Sequence, residues 1–180
     1  MNKIVISTLS LFICFLSCGQ KFKSVDSSIR FYSDAPIEDI EATNAAAASI
    51  IDLDSRSFVF MVPVKEFTFR KKLMQEHFNE NYLESDKYPK AIFKGKIKNW
   101  NGEKGEFSAV AEGEMSLHGV EKQISVDGQI VYDDTGMTIT SVFSIKLEDY
   151  KIKIPKAVFY NIAEVVEVTI SFQYKPYEQN

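Results

Sequence analysis

His77 and His118 are the only imidazoles in this 180-residue chain, and histidine is the commonest general base. A hydrolase needs an activated nucleophile with a base in reach. No G-x-S-x-G, H-E-x-x-H or glycine-rich phosphate loop occurs. His77 lies on a stretch with helical spacing beside Met74 and Phe78, where it reads as a helix-surface or capping residue. His118 stands in "GEMSLHGVEKQI", between two runs that alternate apolar and polar residues. A two-residue hairpin turn there needs positive φ twice, which His can tolerate and Gly119 readily supplies. His118 is therefore expected to be a turn residue ahead of a catalyst or ligand.

The carboxylate pairs are no closer to a reaction centre. Glu112 and Glu114 point to the wet side of a strand, and Asp133 with Asp134 falls in the "DDTG" hairpin loop. Calcium takes about six to eight oxygens, more than that loop supplies. No metal and no cofactor is expected. Two charges do break the inward pattern, Lys122 and Glu164, each near a strand beginning. Rim exposure explains both; the sharper reading is that Lys122 or Glu164 meets the polar head of a ligand whose tail lies inside.

The elements that carry these residues are strands. From Ala91 onward the chain alternates with period two, as half-buried strands do. Ala91, Phe93, Gly95 and Ile97 share one face of "AIFKGKIK". Phe107, Ala109, Ala111, Gly113, Met115 and Leu117 share one face of the next run. Val120, Ile124, Val126, Gly128, Ile130 and Tyr132 follow, then Met137, Ile139, Phe143, Ile145 and Leu147, and last Val166 to Tyr174. One wet face per strand predicts an antiparallel sheet. With His118–Gly119 as the turn, Leu117 pairs with Val120, Met115 with Lys122, Gly113 with Ile124 and Ala111 with Val126. With "DDTG" as the next loop, Tyr132 pairs with Met137, Ile130 with Ile139 and Val126 with Phe143. A slip of one residue would oppose apolar to polar throughout.

Upstream, Leu73, Met74, Phe78 and Tyr82 have helical spacing, and "RSFVFMVPV" reads as a strand with Pro63 at an edge or end. In "PIEDIEATNAAAASII" propensity favours a helix. About eight strands in all suit a closed barrel, which leaves no free edge. Ala109, Ala111, Gly95, Gly113 and Gly128 are small for an inward face. They either bend the strands tightly or leave a lumen. Residues 107–117 span roughly 36 Å at about 3.3 Å each, long enough for a chain-like molecule.

The remaining bounds come from composition and the first residues. A formal charge of −4 with no basic stripe argues against a nucleic-acid partner. Residues 1–17 read as a signal peptide, with Lys3 before a run of apolar and hydroxyl residues from Ile4 to Leu16. "FLSC" places Ser17 before Cys18 and is similar to the lipobox of bacterial lipoproteins. Cys18 is then expected as the acylated mature N-terminus of an exported, membrane-anchored protein of the periplasm or cell envelope. Residues 18–24 are expected as a short linker and 25–177 as one domain. Cys14 and Cys18 are the only cysteines, so the domain holds no disulfide.

Two stretches resemble the YceI family of lipid-binding proteins. "HFNENYLESDKYPKAIFKG" is similar to its short helix, aromatic-rich turn, Tyr-Pro and following strand. "AEGEMSLHGVEKQISVDG" is similar to its hairpin, matching at Gly113, Leu117, His118, Gly119, Val120 and Lys122, with Met115 in place of Leu. The family's Arg-Asp pair is absent; "FRKKLMQEHF" stands there. The resemblance implies an all-β fold, an eight-stranded antiparallel barrel of lipocalin-like form with short helices at one end, and strand over residues 36–50. It implies binding of a long isoprenoid or similar amphiphilic lipid without catalysis. The wall would include Phe93, Phe107, Ala109, Ala111, Met115, Ile124, Val126, Ile139 and Phe143, with Leu73, Phe78 and Tyr82 at the helical end and Lys122 at the head group. A ligand-free lipoprotein with a filled barrel is the alternative, and an enzyme of isoprenoid or quinone chemistry the third.

Overall fold

The computed structural model describes residues 20–34, 39–154 and 163–177. Ten strands form one sheet: β1 (Lys21–Ser33), β2 (Ile40–Asn44), β3 (Ala48–Asp52), β4 (Ser57–Pro63), β5 (Thr68–Phe69), β6 (Lys90–Lys98), β7 (Gly105–Leu117), β8 (Val120–Asp133), β9 (Gly136–Lys146) and β10 (Val165–Tyr177). Each pairs antiparallel with its neighbour, in the order β10-β9-β8-β7-β6-β4-β3-β1, and β10 returns to pair with β1. The result is a closed eight-stranded barrel, with β2 added on β1 and the short β5 on β2. Helix α1 (Lys72–His77) runs into a wider π turn, Phe78–Tyr82, between β5 and β6.

Residues that propensity would make helical are strand, as the family resemblance implies. Asn44 pairs with Ile29 and Ile50 with Lys23, so β2 and β3 hold one register on β1 and are two halves of a strand parted at residues 45–47. Side chains replace the missing rungs. Ser27 Oγ donates to the Ala47 carbonyl at 2.8 Å, and the Ser49 N–H donates to Ser24 Oγ at 2.9 Å. Pairing to β1 outweighs the weak helical preference of the alanines. The expected linker over 18–24 is corrected at its C-terminal part. Lys21 to Lys23 already pair with β10 on one side and β3 on the other, and Phe22 is buried in the core.

The first expected hairpin forms in full: Leu117↔Val120, Met115↔Lys122, Gly113↔Ile124 and Ala111↔Val126. His118 (φ 51°) and Gly119 (φ 72°) make its turn. The second forms only in part. Tyr132↔Met137 and Ile130↔Ile139 are present, but the β8–β9 ladder stops at Gln129↔Thr140, so Val126 does not pair with Phe143. Beyond that point both strands continue, β8 held by β7 and β9 by β10.

The small inward residues divide into two jobs. Gly95 and Gly113 face each other across β6 and β7, and neither borders the interior cavity. A Cβ on Gly113 would lie 2.1 Å from the Lys94 carbonyl oxygen and 2.7 Å from the Gly95 Cα. The two backbones are therefore in contact where the wall turns its corner, and only glycine permits that approach. Ala109, Ala111 and Gly128 do border the cavity and leave it its volume. Gly113→Ala is accordingly expected to destabilise the fold by about 3 kcal/mol or prevent folding, measured by urea denaturation; an unchanged midpoint would mean the corner does not need this contact.

Candidate functional site: an apolar cavity inside the barrel

One end of the barrel is filled. Phe22 packs edge-on to Tyr132 with centroids 5.3 Å apart, and Trp100 packs edge-on to Tyr132 from the β6–β7 loop. The indole N–H of Trp100 donates to the Glu103 carbonyl. Tyr174 is buried there and donates to Ser49 Oγ at 2.8 Å. Burial raises its phenol above the ordinary value of 10.0.

Above this floor lies a cavity of about 230 Å³. Phe58, Phe60 and Phe172 border it below, and Ile29, Val62, Phe93, Ala109, Ala111, Met115, Val126, Ile139, Phe143, Val166 and Val168 form its walls. Its few polar groups are mostly committed. Ser33 Oγ accepts from the Ala163 N–H at 2.9 Å, and Ser141 Oγ donates to the Asp127 carbonyl. Tyr82 reaches the cavity from the π turn; among the described residues its hydroxyl has no hydrogen bond, and burial raises its phenol.

The upper end carries an aromatic cover. Phe78 stacks on Phe31 with centroids 5.5 Å apart and 19° between planes, and meets Phe69 at 4.9 Å and Phe67 at 5.6 Å. Met74, Phe78 and Tyr82 succeed one another at intervals of four, so one side of α1 and its π turn faces the cavity. Single π turns are rare and are frequently found at functional sites.

Set against the sequence expectations, Phe78, Tyr82, Phe93, Ala109, Ala111, Met115, Val126, Ile139 and Phe143 come together around this space. Four positions do not. Leu73 is 62% exposed, because Met74, one residue on and about 100° around the helix, takes the inward place. Phe107 packs against the core near the filled end, its ring beside Gly105. Ile124 packs against the core opposite Gly113 without reaching the cavity. Lys122, in inward register, turns instead to Asp149 and pairs with it at 2.7 Å. Glu164 is exposed; its carbonyl accepts from the Leu147 N–H and its carboxylate charge acts on Lys146 rather than on the cavity. Cys18 lies outside the described residues.

Sequence reasoning missed the N-terminal contribution: Ile29, Phe31, Phe58, Phe60, Phe67 and Phe69. The alternation in "IRF", "FVF" and "FTF" was the available signal.

His118 stays outside the cavity. Its side chain is buried against the Tyr88 ring at 4.8 Å. The Tyr150 carbonyl, which can only accept, lies 2.9 Å from Nδ1, and a Glu84 carboxylate oxygen lies 2.9 Å from Nε2. Beyond turning the hairpin, the imidazole ties its tip to the segment after α1 and to the segment after β9. No group of three or more His, Cys, Asp or Glu among the described residues is placed to hold a metal ion.

The family model of the YceI-like domain matches residues 20–174. The chain belongs to this family. Solved structures of similar fold include a polyisoprenoid-binding domain from Saccharophagus degradans implicated in plant cell wall breakdown (TM-score 0.70, 12% identity, 87% of this chain and 98% of that one). BcnA of Burkholderia cenocepacia is also similar (TM-score 0.65, 16% identity, 82% and 94%). So is a YceI protein of Campylobacter jejuni (TM-score 0.56, 14% identity, 99% and 94%). A search of curated proteins finds no match. At such identities the likeness is one of fold.

The buried phenol at the filled end gives an alkaline signature. Unfolded, Tyr174 ionises near 10.0, whereas folded it holds its proton to higher pH. Above pH 10 the unfolded state binds fewer protons than the native state, so stability is expected to fall as pH rises. Tyr174→Phe should flatten part of that fall while costing about 1 kcal/mol near pH 7 for the lost hydrogen bond, both read from denaturant midpoints across pH 7 to 11.

Proposed function

We propose that this protein binds the apolar tail of a long-chain isoprenoid or similar amphiphilic lipid inside the barrel and holds it without chemical change. The observation that carries this reading is the cavity wall, apolar and aromatic throughout, with Tyr82 as its one uncommitted polar side chain among the described residues. Water gains little in such a space, whereas each methylene moved into it contributes about 0.8 kcal/mol. A charged head group has no partner within these walls, so it stays at the upper end, beyond Phe78. The hydroxyls of Ser33 and Ser141 are tied to backbone groups, which favours holding over catalysis. The similar structure from Saccharophagus degradans is a polyisoprenoid-binding domain, which supports the same ligand class.

The site of action in this proposal is the cell envelope, with Cys18 acylated and the barrel held close to the membrane that supplies its lipid. Storage, shielding or transport of an insoluble chain all use the same property, removal of the tail from water.

Lipids extracted from protein purified out of its native envelope should include one polyisoprenoid class recovered repeatedly, identified by mass spectrometry. Ala111→Phe, which fills the cavity from β7, is expected to abolish that recovery while leaving the thermal midpoint within a few degrees of wild type. Lipid-free protein that takes up no added isoprenoid would instead identify a filled barrel. For the anchor, Cys18→Ser should move the protein from the membrane to the soluble fraction and remove the acyl mass from its N-terminal peptide; membrane retention without Cys18 would defeat the lipoprotein reading.

A further inference from the structure

The barrel wall has a lateral seam. The β8–β9 ladder runs only from Gln129↔Thr140 to Asp133↔Gly136, although β8 extends back to Val120 and β9 forward to Lys146. Over that upper half each strand is held by its other neighbour alone, and the Ser141 hydroxyl on the Asp127 carbonyl is the last cross-link before they part. The cavity reaches the seam from both sides, through Val126 and Gly128 on β8 and Phe143 and Ile145 on β9.

What crosses the seam is the segment that follows β9. Residues Leu147–Tyr150 form a single 3-10 turn, ended by Lys151 in the left-handed region. Leu147 and Ile152 face the cavity and Tyr150 is buried. Two contacts carry this strap back to the β7–β8 hairpin: Lys122 of β8 with Asp149, and His118 of the turn with the Tyr150 carbonyl. At this place a barrel wall of backbone rungs is replaced by side chains and two polar ties.

We propose that the seam is the route by which ligand enters and leaves the cavity, and that Lys122 and His118 determine the exchange rate by latching the strap across it. The proposal rests on the lipid-binding reading above and adds where the lipid passes. Parting the strap breaks one half-exposed ion pair and the His118–Tyr150 hydrogen bond and uncovers Tyr150 and Ile152, but it breaks no rung between β8 and β9. It also gives the one inward-register lysine of the hairpin a mechanical task in place of a head-group contact.

The probe is anthraniloyl-tagged farnesol, loaded on the full chain and displaced by excess farnesol in a stopped-flow instrument. Lys122→Met is expected to speed both release and uptake about threefold, as loss of a half-exposed ion pair allows, with Kd unchanged. Lys122→Met with His118→Asn, which keeps a residue tolerant of the turn, should reach roughly tenfold. The exchanged pair Lys122→Asp with Asp149→Lys should restore slow release. Release rates insensitive to Lys122 but raised by Phe78→Ala would overturn the proposal in favour of entry past the aromatic cover. Weaker Kd with unchanged uptake in Lys122→Met would also overturn it, in favour of a head-group contact. Failure of the wild type to take up farnesol would count against the lipid-binding reading and not the latch, which a ligand-free measurement tests. Amides of residues 147–152 should exchange with deuterium faster in Lys122→Met than in wild type while those of β6 and β7 do not change. Equal protection in both proteins would overturn the latch.

Discussion

The ladder between β1 and β10 is the constraint on which the rest of this molecule depends. It runs from Lys21↔Tyr177 to Tyr32↔Glu167 with one irregularity at Ser24 to Asp26, and it joins the two ends of the described chain into one wall. Without it β1 and β10 would be exposed edges, each a template for aggregation, and the inward rows of ten strands would face water. With it, a single interior is defined whose radius is set by strand number and tilt. Whether that interior is core or cavity then depends only on side-chain volume. At one end Phe22, Phe58, Trp100, Tyr132 and Tyr174 fill it; in the middle Ala109, Ala111 and Gly128 do not.

Much of this was legible in the sequence because strand alternation is a local signal with a long reach. Once His118–Gly119 is taken as a two-residue turn, thirteen pairs of the β7–β8 hairpin follow from it, since a slip would turn Met115 and Val126 outward. The same logic failed at Val126 and Phe143 for a physical reason. In-phase alternation says which face a residue occupies, but it cannot say that two strands separate while each stays extended on its other neighbour. The N-terminal cavity residues were hidden for another reason. Phe67 ends a 3-10 turn and Phe69 sits in the two-residue strand that follows, too short for a period to show, and Phe31 meets them only through the fold.

Helical periodicity was equally local. Leu73 and Met74 are adjacent and both apolar, so spacing alone does not choose between them; the choice is made by the orientation of α1 over Phe31 and Phe69. The π turn then keeps Phe78 and Tyr82 on the same side. The preference for apolar residues on one face was visible in the sequence, and the rotation of the helix about its axis was not.

Lys122, in inward register, and His118, in the turn beside it, both find polar partners away from the cavity. A lysine facing an apolar cavity would be costly to bury unpaired, and here its stem leads to Asp149 at the rim, leaving the ammonium half in water. His118 is buried more deeply, yet each of its nitrogens meets an acceptor from a different segment, Glu84 after α1 and Tyr150 after β9. A wall closed by backbone rungs opens only by breaking them. Where the β8–β9 ladder ends, the wall is closed instead by a strap held through the buried Tyr150 and Ile152 and two polar ties. The missing half of one ladder lies beside the cavity, which is why the proposed entry route is placed there.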